Sequence, residues 1–178
     1  QQGLYTLDLT HKGNAVIYSM NEKNTIMNTI IYSLITTYHT NELNLYIMDF
    51  DSQTLKIYED APQVGDVIFI NETEKIINDR SVRLSARSNF PQIVPLKLRE
   101  AIEYNMLLGK KTPLISDIDG RGIVLVKEEP YEFQTAVMCD EDKTNEYIKS
   151  IINSLNNQIT AHTPRIRILP ENVTWKDI

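Results

Sequence analysis

Basic charge, cysteine, histidine and long apolar runs are all scarce in this 178-residue chain, and each scarcity removes a class of function. Lys and Arg number 18 against 24 Asp and Glu, a formal net charge of −6. A nucleic-acid duplex or an anionic membrane surface as main partner would need the opposite balance on at least one face. The single cysteine, Cys139, excludes an internal disulfide, and no CxxC pair exists to hold zinc. His11, His39 and His162 lie far apart, so no metal site is expected. No run of about 18 apolar residues is present to span a bilayer, and nothing resembles a secretory signal. What is present is ordinary: 42% hydrophobic and 24% charged residues, the composition of a folded globular chain. The length fits one domain, or one domain with an appendage, and the mean hydropathy of −0.30 predicts a soluble piece. Such a piece is also compatible with a place in a larger membrane protein.

Periodicity then divides the chain. Leu4–Leu9 alternates apolar and polar and predicts a half-buried strand, followed by a turn at His11–Asn14. Ala15–Tyr18 is a short apolar run suited to a strand buried on both faces. After the polar loop Ser19–Asn24, the residues Ile26, Met27, Ile30, Ile31, Leu34 and Ile35 recur at helical spacing, which predicts a helix to about Tyr38 capped by Asn24 or Thr25. Leu45–Met48 and Asp66–Phe69 read as further buried strands, and Glu72–Asn78 as the start of a helix. Strand, helix and strand at this spacing form the unit of a parallel α/β sheet. In the second half, Ile93–Leu98 is extended, with Pro95 favouring an edge, and Arg99–Leu108 predicts a helix stopped by Gly109. Gly122–Val126 and Tyr131–Val137 read as strands with a turn at Glu128–Pro130. Thr144–Asn157 predicts a helix capped by Asp142 or Thr144, and Arg165–Pro170 an extended tail.

The loop between the first buried strand and the first helix is where a phosphate-binding loop would lie. Such a loop uses glycines to turn backbone N–H groups onto phosphates, with Lys and Ser/Thr meeting phosphate and Mg²⁺. Here the loop reads Ser19-Met-Asn-Glu-Lys-Asn-Thr25, with no glycine and with Glu22 bringing negative charge. Lys23, Asn24 and Thr25 are what remain for weak nucleotide binding. Leu45–Asp49 has the form of four apolar residues and an acid, so Asp49 is a candidate strand-end carboxylate, beside the plainer reading of a turn acid. Arg80, Arg83 and Arg87 run at helical spacing, and Arg121 lies between two glycines; Arg87 and Arg121 are candidates for a subunit contact or a solvated face. No Ser-His-Asp or Cys-His arrangement is visible, and Cys139 has no basic neighbour to activate it, so no catalytic residue is assigned.

Several short segments, in order, resemble the ATPase domains of the FtsK/SpoIIIE type, above all the last ATPase domain of type VII secretion motors. They are Gly13–Tyr18, Leu45–Phe50, Ala61–Val67, Asn89-Phe-Pro91, Leu96–Leu98, Leu107-Leu-Gly109, Gly120–Ile123 and Tyr131–Ala136. The resemblance covers most of the chain. It implies a three-layer α/β fold of the P-loop NTPase kind, with a mostly parallel sheet and an added antiparallel hairpin. It also implies one family domain over residues 1–178 whose phosphate loop has degenerated. Family members carry a helix and two strands between the segments that here end near Asn78-Asp79 and begin near Ser81. Because a sheet without its central strand leaves backbone groups unpaired, residues beyond those in this sequence are expected at that junction.

The family binds ATP and Mg²⁺, but the degenerate loop implies no cofactor in this domain. The resemblance further implies a place at the cytosolic face of the cell membrane, as a soluble domain of a membrane-anchored, ring-forming motor. Its partners would be other ATPase domains of the same chain and small helical WXG-type secreted substrates, with no nucleic acid. Substrate recruitment, assembly or regulation is the implied role. A weakly active ATPase completed by a neighbouring subunit is the alternative, and a DNA translocase module a third reading against which the charge speaks.

Overall fold

The computed structural model describes residues 3–19, 24–49, 53–69 and 90–166. Its elements are β1 (Ala15–Tyr18), α1 (Asn24–Thr37), β2 (Leu45–Asp49), β3 (Val64–Phe69), β4 (Gln92–Pro95), α2 (Ala101–Leu108), β5 (Arg121–Val126), β6 (Glu129–Gln134) and α3 (Thr144–Gln158). Short 3-10 turns lie at Thr54–Tyr58 and Glu141–Lys143. β1 pairs in parallel with β4, β2 in parallel with β3, and β5 antiparallel with β6. Among the described residues β1 and β2 do not pair with one another; each takes a strand from later in the chain. The α/β class with parallel pairs and an antiparallel hairpin is therefore the observed one. The helix expected at Glu72–Asn78, the junction at 79–81 and the arginines Arg80, Arg83 and Arg87 lie outside the described residues, as does Lys23.

The chain forms two compact units, one from residues 1–29 and 76–138, the other from 30–75 and 139–178. In the first, Leu98, Tyr104, Leu108, Ile115 and Ile123 make a closed apolar cluster, with Tyr18, Ile93, Leu107 and Leu125 packed around it. Tyr104 is fully buried, and its phenol is satisfied twice: it accepts from the Leu98 N–H at 2.8 Å and donates to the Leu96 carbonyl at 2.9 Å. Burial pushes that phenol above its ordinary pKa. The start of α2 is tied by the Glu103 carboxylate, which accepts the N–H groups of Arg99 and Glu100 at 2.8 and 3.0 Å. Its end is the expected one, Gly109 at φ 67°.

Three expectations in the first unit need correction. Leu4–Leu9 is not a strand, and Leu4 is 95% exposed. Its backbone finds a side chain rather than a ladder: Gln92 accepts from the Asp8 N–H at 3.0 Å and donates to the Asp8 carbonyl at 2.9 Å. β6 begins at Glu129 and ends at Gln134, two to three residues ahead of the expected strand. The hairpin turn is made by Lys127 and Glu128, both at positive φ, so Pro130 falls inside the strand, opposite Leu125. Two non-glycine residues at positive φ give no turn signal in sequence. Ile93–Leu98 shortens to β4, although Leu96 N–H still bonds the Tyr18 carbonyl at 2.8 Å.

In the second unit the buried side chains include Ile31, Ile35, Ile47, Leu55, Tyr58, Val64, Val67, Ile148 and Ile152. Gln63, fully buried, closes the carboxyl end of α1 by donating to the carbonyls of Ile35 and Tyr38 at 2.8 and 2.7 Å. Tyr32 of α1 and Tyr147 of α3 bond through their hydroxyls at 3.2 Å, which raises the Tyr32 pKa. α3 is not capped by Asp142 or Thr144 as expected: Glu141–Lys143 form a 3-10 turn, and Lys143 takes the cap position without a side-chain bond. Of the expected tail strand, Arg165 and Ile166 are irregular and the rest lies outside the described residues. Among the described residues no helix is long and apolar enough to cross a membrane.

Replacing Tyr104 by Phe keeps the ring and strands a buried N–H and a buried carbonyl. Urea unfolding of the 178-residue chain is expected to show a loss of about 1–3 kcal/mol. A loss within error would mean that the phenol is not a structural tie.

Candidate functional site at the start of α1

α1 starts at Asn24 because the apolar spacing from Ile26 onward needs one face turned inward, and Ile26, Ile31 and Ile35 are indeed buried. Its first turn contains no acidic residue of its own. The first N–H groups of a helix have no partner within it and carry partial positive charge, so they attract an anion. Thr25, the second residue of α1, gives its hydroxyl to the Asp119 carboxylate, 94 positions away.

Asp119 is held in place by the hairpin. Gln134 Nε2 donates to the Asp119 carbonyl at 2.7 Å, while Gln134 Oε1 accepts from Arg121 Nε at 3.2 Å. Thr135 grips the next carbonyl, that of Gly120, with both its N–H at 2.9 Å and its hydroxyl at 2.7 Å. Gly120 sits at φ 68°, and a Cβ there would lie 3.0 Å from the Thr135 Cβ. A side chain there would crowd Thr135, so glycine suits the turn that follows Asp119. The same hairpin end fixes the helix, since Thr29 Oγ1 donates to the Ala136 carbonyl at 2.6 Å.

Of the residues singled out by sequence, Thr25 bonds the Asp119 side chain, and Arg121 is linked to the Asp119 backbone through Gln134. Asn24 opens the helix beside them. Asp119 was not anticipated, because a bond spanning 94 positions has no local signal; its only hint was its place in Asp119-Gly-Arg-Gly122. Arg87 and Lys23 lie outside the described residues. Asp49 belongs to the second unit, where it is buried and its Oδ2 accepts the Leu55 N–H at 3.1 Å, capping the 3-10 turn.

Chemically, the site offers a hydroxyl, a carboxylate, an amide and a guanidinium, with no nucleophile–base pair among them. No group of three metal-binding side chains occurs among the described residues. A shallow cavity of about 560 Å³ in the second unit, between the 3-10 turn and α3, carries Lys56 and Lys149 beside Glu59 and Asp60, so it has no single charge preference. Exposed apolar side chains include Ile102 and Met106, one turn apart on α2, and Tyr46 and Met48 on one side of β2.

The sequence profile of the FtsK/SpoIIIE family matches residues 22–159, well over half of the chain. No curated protein is similar enough in sequence to count as a match. Among solved structures, the chain is similar to Thermomonospora curvata EccC (ATPases 2 and 3) in complex with a signal sequence peptide, at TM-score 0.70 and 16% identity, over 93% of this chain and 46% of that one. It is also similar to the cytoplasmic domain of EssC, at TM-score 0.66 and 17% identity, over 95% and 50% of the two chains. A third is EssC (ATPases 2 and 3) from Geobacillus thermodenitrificans, at TM-score 0.65 and 14% identity, over 93% and 48%. The chain thus spans about half the length of the structures it matches. At these identities the likeness establishes the fold, a P-loop NTPase fold of mixed α/β kind.

Asp49 is predicted to matter for stability. Asp49→Ala should cost about 1–3 kcal/mol in urea unfolding, because the Leu55 N–H loses its acceptor. An unchanged midpoint would show that the carboxylate has no capping role.

Proposed function

The chain belongs to the FtsK/SpoIIIE family, and from that premise we propose that it is a component domain of a type VII protein secretion motor whose contribution is binding rather than hydrolysis. The observation that carries this reading is the shared fold, over 93% of the chain, with a pair of EccC ATPases in complex with a signal sequence peptide. Residues 1–178 act as one such ATPase-type domain, on the cytosolic side of a membrane-anchored protein, next to further ATPase domains of the same chain. The partner is a short segment of a small helical secreted protein of the WXG type. The phosphate loop is degenerate, and ring assembly is a property of the full motor.

The loop chemistry supports the non-catalytic part of the reading. A loop without glycine turns few N–H groups inward, and a glutamate beside the helix start repels phosphates. The start of α1 adds a second carboxylate, Asp119, on the Thr25 hydroxyl that would otherwise face Mg²⁺.

Three measurements test the proposal. A fluorescent peptide from the signal segment of the cognate substrate should bind the chain with a Kd of about 1–100 μM, a modest affinity because a flexible segment is ordered on docking. Removing residues 1–178 from the full motor should abolish both capture of that substrate and its secretion. If deletion leaves both untouched, recruitment fails as an explanation. Mg-ATP titrated into the isolated chain should give no binding in the low micromolar range, and such binding lost on Lys23→Ala would favour an ATPase role instead.

A further inference from the structure

The segment after α3 has no regular structure over residues 159–166, yet one dipeptide within it is anchored. Thr163 is buried between exposed neighbours, Ala161 and His162 before it and Pro164 and Arg165 after it. It donates its N–H to the Pro62 carbonyl at 2.8 Å and its hydroxyl to Asn44 Oδ1 at 2.9 Å. The Pro164 carbonyl accepts from the Tyr46 hydroxyl at 2.9 Å. Beneath this dipeptide β3 bulges: Leu45 pairs with Val64 and Tyr46 with Asp66, so Gly65 is the extra residue. A Cβ on Gly65 would lie 2.5 Å from Tyr46 Cε1, 2.7 Å from the Pro164 oxygen and 2.9 Å from Thr163 Cγ2. The bare backbone of Gly65 is therefore the floor on which a tyrosine ring and another stretch of chain rest. Each contact reads a different feature of the dipeptide: an N–H, a hydroxyl, a carbonyl and the close fit to a residue without a side chain. Proline suits the second place, since it brings no N–H that would need a partner and keeps Thr163 out of helical backbone.

We propose that Asn44, Tyr46, Pro62 and Gly65 form a docking site for a Thr-Pro dipeptide in non-helical chain, and that Thr163-Pro164 is its resident ligand, a latch closed in cis. All six residues belong to the second unit. The site is selective by its chemistry. A residue without a hydroxyl leaves Asn44 Oδ1 without its donor, and a larger one meets the Gly65 floor. Three hydrogen bonds and one small buried side chain make a weak ligand, which the tether makes effective: only Ile159–His162 separate it from the end of α3. A short link of this kind gives an effective concentration in about the millimolar range. The latch therefore opens by itself, at lower free energy than the unfolding of the unit. Opening frees the Tyr46 hydroxyl and the Gly65 backbone for the same dipeptide supplied in trans. The inference does not draw on the secretion-motor reading, so a failed substrate titration leaves it standing, and the reverse.

The test has two parts, both on the full 178-residue chain. In residue-resolved amide hydrogen exchange of the wild type, the Thr163 amide is expected to be protected, yet to exchange at least about tenfold faster than the amides of α3 around Ile152. A Thr163 amide with no protection, or one that exchanges only with global unfolding, overturns the proposal. The second part is an NMR titration with a synthetic peptide of residues 159–166. The wild type should give no saturable binding below about 1 mM, because its own segment holds the site. Thr163→Arg places a long charged side chain at a buried position and releases the latch, and this variant should bind the peptide with a Kd of about 0.1–1 mM. Adding Gly65→Ala should abolish that binding, and a peptide carrying Thr163→Val should bind at least about tenfold more weakly. Circular dichroism confirms folding, and the exchange measurement decides alone if Thr163→Arg unfolds. A folded Thr163→Arg chain that binds no peptide, equal binding by the wild type, or binding that survives Gly65→Ala or the valine peptide each overturns the proposal.

Discussion

The first turn of α1 is positioned from outside the helix, by the hairpin β5–β6, and the arrangement of the first unit follows from that dependence. A helix with no acid in its first turn and no glycine loop ahead of it has little to fix its entry angle. Thr29 reaches the Ala136 carbonyl, and Thr25 reaches the Asp119 carboxylate, so two residues one turn apart dock on the two chain segments that flank the hairpin. The hairpin in turn is held together at that end by Gln134 and Thr135. The two helix bonds join segments 94 and 107 positions apart, so they tie the helix to a distant part of the unit.

The same contacts determine the electrostatics of the site. Partial positive charge at a helix start favours a nearby anion by roughly 0.3–1 kcal/mol, more when partly shielded from water. In a working nucleotidase that stabilisation goes to phosphate. In this chain the Thr25 hydroxyl at the helix start is given to the Asp119 carboxylate.

Much of the frame was legible in the residues. The spacing of Ile26, Ile31 and Ile35 marks α1 and its buried face; Gly109 marks the end of α2; the run at Ile123 marks β5. Periodicity reports these because each depends on local sequence and one buried side. What it could not report depends on distant partners or on backbone shape. Leu4–Leu9 alternates like a strand, yet its backbone is met by the Gln92 side chain. Lys127 and Glu128 form the tight turn without glycine or asparagine, so the strand after it was placed too late. The pairing of β1 with β4 crosses more than seventy positions, and no local signal says which parallel partner a buried strand will take. At the site, Thr25 and Arg121 were visible as residue types, but the residue that joins them, Asp119, was not. Asp49 closes β2, and its carboxylate accepts the Leu55 N–H of the turn that follows.

The central claim is the proposal that this domain contributes binding rather than hydrolysis. A crystal structure of the 178-residue chain grown in millimolar Mg-ATP examines this atom by atom. The account predicts the Thr25 hydroxyl still on the Asp119 carboxylate, Gln134 and Thr135 still gripping the turn, and no phosphate over the first turn of the helix. Nucleotide phosphates seated on that turn, with Asp119 displaced from Thr25 in the wild-type protein, would contradict it.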